Sequence, residues 1–544
     1  MRLRSGDAGG IAPGSGFDWS SGMGAGPERR RVALGALGLL LVLGVALRWW
    51  GAGQDLYADE VATYWDVSTT DFPGLLRLVS STAEITPPLA FVLSWLTTQP
   101  DLSVETLRLP SLVAGVASIP LVYAVGVRTV GRGAGLLAAA LVTVSPFMIF
   151  YSVEARAYAV MMAMVLLSTL SMLKATESGR KRWWAAYAAF TCLAAYAHYT
   201  AAFVLAAQFG WVLVTQARAR WPASIATAAA LVLYVPWLPS LKGDLDSPTT
   251  TIADVLLRRF TVGSVLDDVA HWLVGFPYAT AASLGTLPGR PALLLLGCSA
   301  IVGATGIYSY RGRLAEWFGG HDNRVVLVAI LAVTTPVLAI LQSILGTNVV
   351  SVRNLAASWP YAALTFAALV TVGGMGRRLL ASALATAALG IGAAMVISDD
   401  YRRPSFSEAA QFANENGGAL VDGASFTPGP LANFDLEGSR PDVPVIRLSL
   451  PAERTAPFDL FDQPTPPAEV AAEAVKLADG GPINLVTTVD ANTVSGGQSK
   501  FDAGPAFVAA LPDYYTEAES RVFPGMVDLK VTVFEAESEG AGRP

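Results

Sequence analysis

Residues 29–65 read RRRVALGALGLLLVLGVALRWWGAGQDLYADEVATYW. A basic triplet, an apolar run from Val32 to Trp50 and an abrupt return to acidic and aromatic chain make this a start-transfer segment. The run is long enough to cross a ~30 Å hydrocarbon layer as a helix. Arg48, Trp49 and Trp50 stand where a cleavage site would need small residues, so the segment reads as an uncleaved anchor, with a removable signal peptide as the rival.

Working outward, residues 1–31 are rich in Gly, Ser and Pro and read as a disordered cytoplasmic tail. Downstream, apolar runs of about 15 to 20 residues recur as far as Ile397 and then stop. With 53% hydrophobic and 15% charged residues the chain suits a membrane rather than water. Spans are expected near 32–50, 109–127, 134–151, 157–173, 183–197, 200–215, 222–240, 291–308, 325–344, 355–373 and 379–397, about eleven in all. The run at 183–197 is short for a crossing.

Alternate connectors are short and basic: Arg128 and Arg132; Lys174, Arg180, Lys181 and Arg182; Arg218 and Arg220; Arg311, Arg313 and Arg324; Arg377 and Arg378. The positive-inside rule makes these cytoplasmic, which puts the long connectors 51–108 and 241–290 outside. An odd number of crossings exports the tail. The expected protein is therefore a multi-pass plasma-membrane protein with a cytoplasmic N-terminus, a transmembrane domain over 32–397 and an extracytoplasmic domain over 398–544. Trp49, Trp50, Tyr151, Trp183, Trp184, Tyr199, Trp237 and Trp359 fall near span ends, as interfacial aromatics do.

Residues 86–96, TPPLAFVLSWL, are too few to cross and read as an interfacial or re-entrant helix with Pro87 and Pro88 in its first turn. In the tail, β-like runs at Ala419–Val421, Val443–Leu448, Ile483–Val489 and Met526–Phe534 and a helix over Ser405–Asn414 predict a small α/β domain. Ser407 is a candidate cap for that helix, although Ala410 stands where a capping box has glutamate. Cys192 and Cys298 lie in apolar runs and read as packing residues.

Charged and polar side chains at membrane depth are expensive, and here they gather on the expected outer side. Asp55, Asp59 and Glu60 follow the first span, flanked by Tyr57, Tyr64 and Trp65. Glu154, Arg156 and Tyr158 lie in YSVEARAYAV between two spans, where Glu154 and Arg156 either pair with each other or face a ligand. Arg353, with Asn354, opens a late span as a snorkelling anchor or an anion ligand. His198, beside Tyr199, reads as structural as readily as functional. A carboxylate to activate a nucleophile and arginines to hold phosphate suit an anionic lipid-linked substrate. The net charge of -6 identifies no partner, and no phosphate-binding glycine loop, dinucleotide motif or His/Cys cluster appears. Nothing points to nucleic acid.

LYADEVATYW at 56–65, TPPLAFVLSWL, and then the stretch from Leu107 to Val160 in unbroken order resemble the GT-C glycosyltransferases, specifically the polyprenyl-phosphate-sugar-dependent group with protein O-mannosyltransferases and aminoarabinose transferases. The likeness covers roughly residues 32–400. It implies a GT-C-like membrane domain and an inverting transfer of sugar from a polyprenyl-phosphate donor to a cell-envelope glycan, lipid or protein acceptor on the outer face. It also implies Asp59 as catalytic base with Glu60 completing the motif, Glu154 and Arg156 as the second outer-loop motif, and Arg353 as the basic residue of the late span. Two positions depart: Thr86 stands where many relatives have His, and Asn354 where many have Tyr. Cofactors are left open, since a divalent metal is compatible with the resemblance but not indicated by the residues. The rival reading is a transporter or flippase of lipid-linked sugars, which would want polar groups near the midplane or broken helices. A third is a scaffold in which the acidic motif is dispensable.

Overall fold

The computed structural model describes residues 27–81, 84–245, 260–274, 289–309, 324–346, 348–371, 374–399, 402–425, 432–448, 465–489 and 504–537. The first apolar run forms one helix, α1 (Pro27–Ala52), whose flanks are mostly exposed as a lipid-facing helix requires. The first loop then carries three short helices, α2 (Asp59–Ser68), α3 (Phe72–Val79) and α4 (Leu89–Thr98). The last is the expected short helix; Pro88 stands at its N-cap, where a missing N–H costs nothing.

The membrane domain continues through α5 (Val104–Thr129), α6 (Arg132–Val144), α7 (Pro146–Ser152), α8 (Ala157–Ser178), α9 (Lys181–Ala197), α10 (Ala201–Thr215), α11 (Arg220–Tyr234) and α12 (Leu238–Leu245). It is completed by α13 (Val262–Val274), α14 (Gly289–Ser309), α15 (Arg324–Leu345), α16 (Trp359–Val370) and α17 (Met375–Val396). The expected spans fall mainly on helix, with a break at Ser145 in 134–151 and with residues 372–373 outside the described residues. By length and hydropathy, however, five helices among the described residues suffice to cross alone, or six when the bent pair α6–α7 counts as one. The expected N-terminal tail up to residue 26, most of the connector 246–288 and Arg311 and Arg313 lie outside the described residues.

The bend has a local cause. Ser145 caps α7 through the Met148 N–H and Pro146 takes its first position, so α6 ends and the axis turns by 61°. The carbonyls freed at the break would be orphaned in lipid. Arg48 of α1, fully buried, supplies their donors: Nη2 reaches Val142 O at 3.0 Å and Nη1 reaches Thr143 O at 3.3 Å, while Nε bonds Ser152 Oγ at 3.0 Å. Gly115 of α5 lets α7 approach, because a Cβ there would overlap the Ser152 side chain. Farther in, Gln208 of α10 bridges Ser168 and Thr169 of α8 at 2.9 and 2.8 Å, and Thr169 bonds Tyr361 of α16 at 2.5 Å. Such interhelical bonds fasten helices where lipid supplies no hydrophobic drive.

Arg128, at the end of α5, and Arg324, at the start of α15, share Glu177 at 3.6 and 2.7 Å. Arg108 and Arg128 are about 30 Å apart along α5, so this cluster marks the opposite end of the bundle from the first loop. Cys192 and Cys298 are free thiols.

The tail folds as an α/β unit, with a sheet in the order β2-β1-β3-β5-β4. β1 (Ala419–Asp422) pairs in parallel with β2 (Val445–Arg447) and β3 (Ile483–Val489); β5 (Asp528–Ala536) runs antiparallel between β3 and β4 (Tyr515–Phe523). Its helices are α18 (Phe406–Asn416), α19 (Pro467–Ala478) and α20 (Gly504–Val508). β4 was not foreseen: its interior is exposed along the whole length, TEAESRV, and carries no apolar alternation to mark it. Ser407 does not cap α18. Its own backbone N–H donates to Asp55 Oδ2 at 2.8 Å, so the helix is capped from the first loop of the membrane domain.

Candidate active site

Asp59 and Glu60 open α2, where a helix N-terminus favours negative charge. Residues one apart diverge by about 100° around a helix, and the two carboxylates part company accordingly. Asp59 keeps 31% of its side chain exposed; Glu60 points inward with 1%. Ala58, just before them, holds φ 50° and ψ −121°, a conformation that an L-residue adopts at a cost of about 1–3 kcal/mol.

Glu60 sits among donors. Arg108 grips it bidentately, Nε to Oε1 and Nη2 to Oε2 both at 2.8 Å, and the Ala155 N–H reaches Oε1 at 2.8 Å. Arg403, from the tail, makes a second ion pair with Oε2 and lies 5.2 Å over the Phe150 ring. Arg108 also bonds the carbonyls of Ala52 at 2.8 Å, Asp55 at 3.0 Å and Gln54, knitting the loop to α5.

Arg353 opens a 3-10 turn (Arg353–Ser358) ahead of α16, and its Nη1 pairs with Asp59 Oδ2 at 2.5 Å. Burial pushes the Asp59 carboxyl up, but the charges of Arg353 and Arg156 pull harder, so it sits below its ordinary range. Arg156 does not pair with Glu154 through its side chain. The guanidinium instead meets Glu84 in a fork at 3.2 and 3.3 Å, with Thr63 and Thr86 each at 3.2 Å, and lies 5.2 Å over Phe91. The Glu154 backbone explains the reversal: its carbonyl accepts the Arg156 N–H at 2.7 Å, a turn that sends the two side chains different ways.

Glu154 is buried, and among the described residues its Oε2 has no hydrogen-bond partner. Burial, joined by the charge of Asp59, raises its carboxyl to about 8 against the pull of the arginines. Burial and the charge of Glu84 likewise raise Asp66 to about 8. His198 bonds Thr200 Oγ1 through Nδ1 at 2.9 Å and lies 5.3 Å from the Tyr158 ring, which in turn meets Tyr151 at 4.9 Å. Burial and the charges of Arg353 and Arg156 lower it to about 3, so it is neutral. With Glu154 and Asp66 protonated, Arg108 and Arg403 answer Glu60 and Asp55, while Arg353 and Arg156 face Asp59 and Glu84. Of these four guanidiniums Arg353 is the exposed one, at 43%, and so the one open to an anion.

Asp59, Glu60, Glu154, Arg156, Tyr158, His198 and Arg353 thus lie together, although Glu60 is turned to the interior. Sequence reasoning missed Arg108, Glu84, Asp66 and Arg403. Arg108 and Glu84 had a signal, as isolated charges beside the motif-bearing apolar runs; Asp66 and Arg403 had none. Among the described residues no three His, Cys, Asp or Glu side chains are placed to hold a metal ion.

Residues 86–240 match the model of a family described as dolichyl-phosphate-mannose-protein mannosyltransferase. ArnT from Cupriavidus metallidurans, solved bound to undecaprenyl phosphate, superposes with a TM-score of 0.51 at 12% identity, covering 94% of this chain and 99% of that one. The chain has the GT-C fold. Two further neighbours of that fold are similar at lower scores. The oligosaccharyltransferase of Archaeoglobus fulgidus, in complex with zinc and sulfate, gives 0.48 at 13% identity over 89% of this chain and 71% of that one. The arabinofuranosyltransferase AftD from Mycobacteria gives 0.44 at 16% identity over 92% and 40%. No curated protein matches the sequence. The family-matched segment contains Glu154, Arg156, Tyr158 and His198, while Asp59, Glu60 and Arg353 lie outside it.

Proposed function

We propose that this protein is an inverting glycosyltransferase that moves a sugar from a polyprenyl-phosphate donor to a cell-envelope acceptor on the outer face of the plasma membrane. The observation that carries the reading is the part-exposed Asp59–Arg353 pair, with the charge of Arg156 also acting on Asp59. A guanidinium offers the phosphate of an anionic donor a bidentate, charge-assisted fit. Donor phosphate then competes with Asp59 for Arg353. Released from its partner, the Asp59 carboxylate becomes a stronger base.

The step balances simply. Asp59 takes the proton of an acceptor hydroxyl as that oxygen bonds to the anomeric carbon; the bond from that carbon to the phosphate oxygen breaks, and polyprenyl phosphate leaves with the electron pair. Arg353 and Arg156 stabilise the charge that develops on it. A single displacement inverts the anomeric centre. Glu60 holds α2 in place through Arg108, and neutral Glu154 and His198 flank the site without adding charge. The basic connectors, taken as cytoplasmic, argue for a site on the outer face, where lipid-linked sugars present their head groups.

The test is a panel of undecaprenyl-phosphate sugars offered to purified protein in nanodiscs together with envelope material as acceptor. Sugar-dependent release of undecaprenyl phosphate from one member supports the reading; intact donor throughout, with donor bound, refutes it.

A further inference from the structure

The segment that delivers Asp59 is held by the other end of the chain. Gln54 Oε1 accepts the Arg403 N–H at 3.1 Å, Asp55 Oδ2 accepts the Ser407 N–H at 2.8 Å, and Leu56 O accepts from Asn433 Nδ2 at 2.6 Å. Tyr57 is buried in the apolar core of the tail with Phe406 and Phe434. Four consecutive residues thus each have a partner in the tail. Next come Ala58, in its strained conformation, and Asp59. On the far side of Asp59, Glu60 takes the Arg403 guanidinium, itself 4% exposed.

We infer that the tail works inside the site: Arg403, seated beside Arg108 on Glu60, is a positioning residue that holds the Ala58–Asp59 backbone in the geometry used for transfer. The inference rests on the reading of Asp59 as the base. Strained backbone persists only when its surroundings over-determine it, and here the surroundings are the four gripped residues before Ala58 and the ion pairs after Asp59. Arg403 is separable from folding because Glu60 keeps Arg108 and the Ala155 N–H when Arg403 is removed, so no carboxylate is left unpaired. What is lost is a fixed position, and misplacement of a reacting group by ~1 Å can cost about 10²-fold in rate.

The experiment is a double-mutant cycle on the full-length protein in nanodiscs, reading single-turnover release of undecaprenyl phosphate from the panel's best sugar donor and, separately, affinity for undecaprenyl phosphate. Arg403→Met is expected to lose about 10- to 100-fold in turnover with affinity changed by less than about threefold, and Arg403→Lys to recover most of the rate. In an Asp59→Asn background the Arg403→Met loss should shrink to about threefold or less, because there is no base left to position. Should Arg403→Met fail to fold, Gln54→Ala cuts one grip without touching an ion pair and must show a loss that likewise vanishes in the Asp59→Asn background. Wild-type turnover in the folded variants, or equal losses in both backgrounds, overturns the role of Arg403 alone. Asp59→Asn turning over at the wild-type rate instead overturns the base assignment, and this inference with it.

Discussion

Replacing Glu154 by Gln tests the electrostatics of the site without changing its shape. The carboxyl lies at about 8 in the folded protein against an ordinary 4.5, so at pH 7 about nine in ten molecules carry it protonated. A folded value above the unfolded one means that the stability due to this group is fully present below about pH 4.5. It is lost as pH rises, and the loss is complete once pH passes about 8. Linkage makes the wild-type penalty on the order of 3 kcal/mol at pH 7 and about 5 kcal/mol above pH 8. Gln carries no such penalty, though its buried amide must also be desolvated, so these figures are upper bounds. Glu154→Gln should therefore melt near the wild-type temperature at pH 4.5 and above it at pH 7, with the gap widest at pH 9, as read by thermal unfolding in one detergent. Affinity for undecaprenyl phosphate should follow: the wild type weakens through pH 8 as Glu154 ionises beside Asp59, and the variant does not. A gap that is absent, or that narrows with rising pH, would refute a neutral Glu154.

Asp59→Asn should cost ~10² to 10⁴ in single-turnover transfer while still binding donor, and a rate within a few-fold of wild type would remove it from the mechanism. Arg353→Ala and Arg156→Ala should each weaken undecaprenyl phosphate binding by about tenfold or more, as loss of a charge-assisted hydrogen bond does; unchanged affinity in both makes them anchors. A reporter fused after Asp399 should be active only in its exported form, and a cytoplasmic signal would sink the proposed topology. Arg48→Met strands the Val142 and Thr143 carbonyls at the α6–α7 bend and should lower the melting temperature and yield, by about 1–3 kcal/mol per carbonyl left unpaired; full stability would mean that other donors replace it.

The helices of the membrane domain were legible because lipid imposes a length and an apolar composition that sequence shows directly. Asp59, Glu154, Arg156 and Arg353 were legible for the complementary reason, as charges placed beside such runs. Pairings were not. Arg156 lies two positions from Glu154 yet closes on Glu84, because the turn at Glu154 sets side-chain direction and spacing does not. Arg48 counts in the sequence only against a cleavage site, and only the 61° bend creates the carbonyls that hold it. Arg403 follows an apolar span in a stretch of unremarkable polar residues, and its burial is a product of how the tail docks.

That docking joins residues far apart in the order of manufacture. Gln54 and Arg403 are 349 positions apart, and Leu56 and Asn433 are 377. At ~5–20 residues per second a ribosome needs roughly 20 to 75 s to supply the partner of a loop it made near the start. Throughout that interval Asp59 is already made, but the grip on residues 54–57 does not exist. A chain terminated after Val396 would keep every helix of the membrane domain and leave the first loop unclasped. The clasp on residues 54–57 can therefore close only once residues 403–434 have been made, and a chain stopped before them would carry these helices without it.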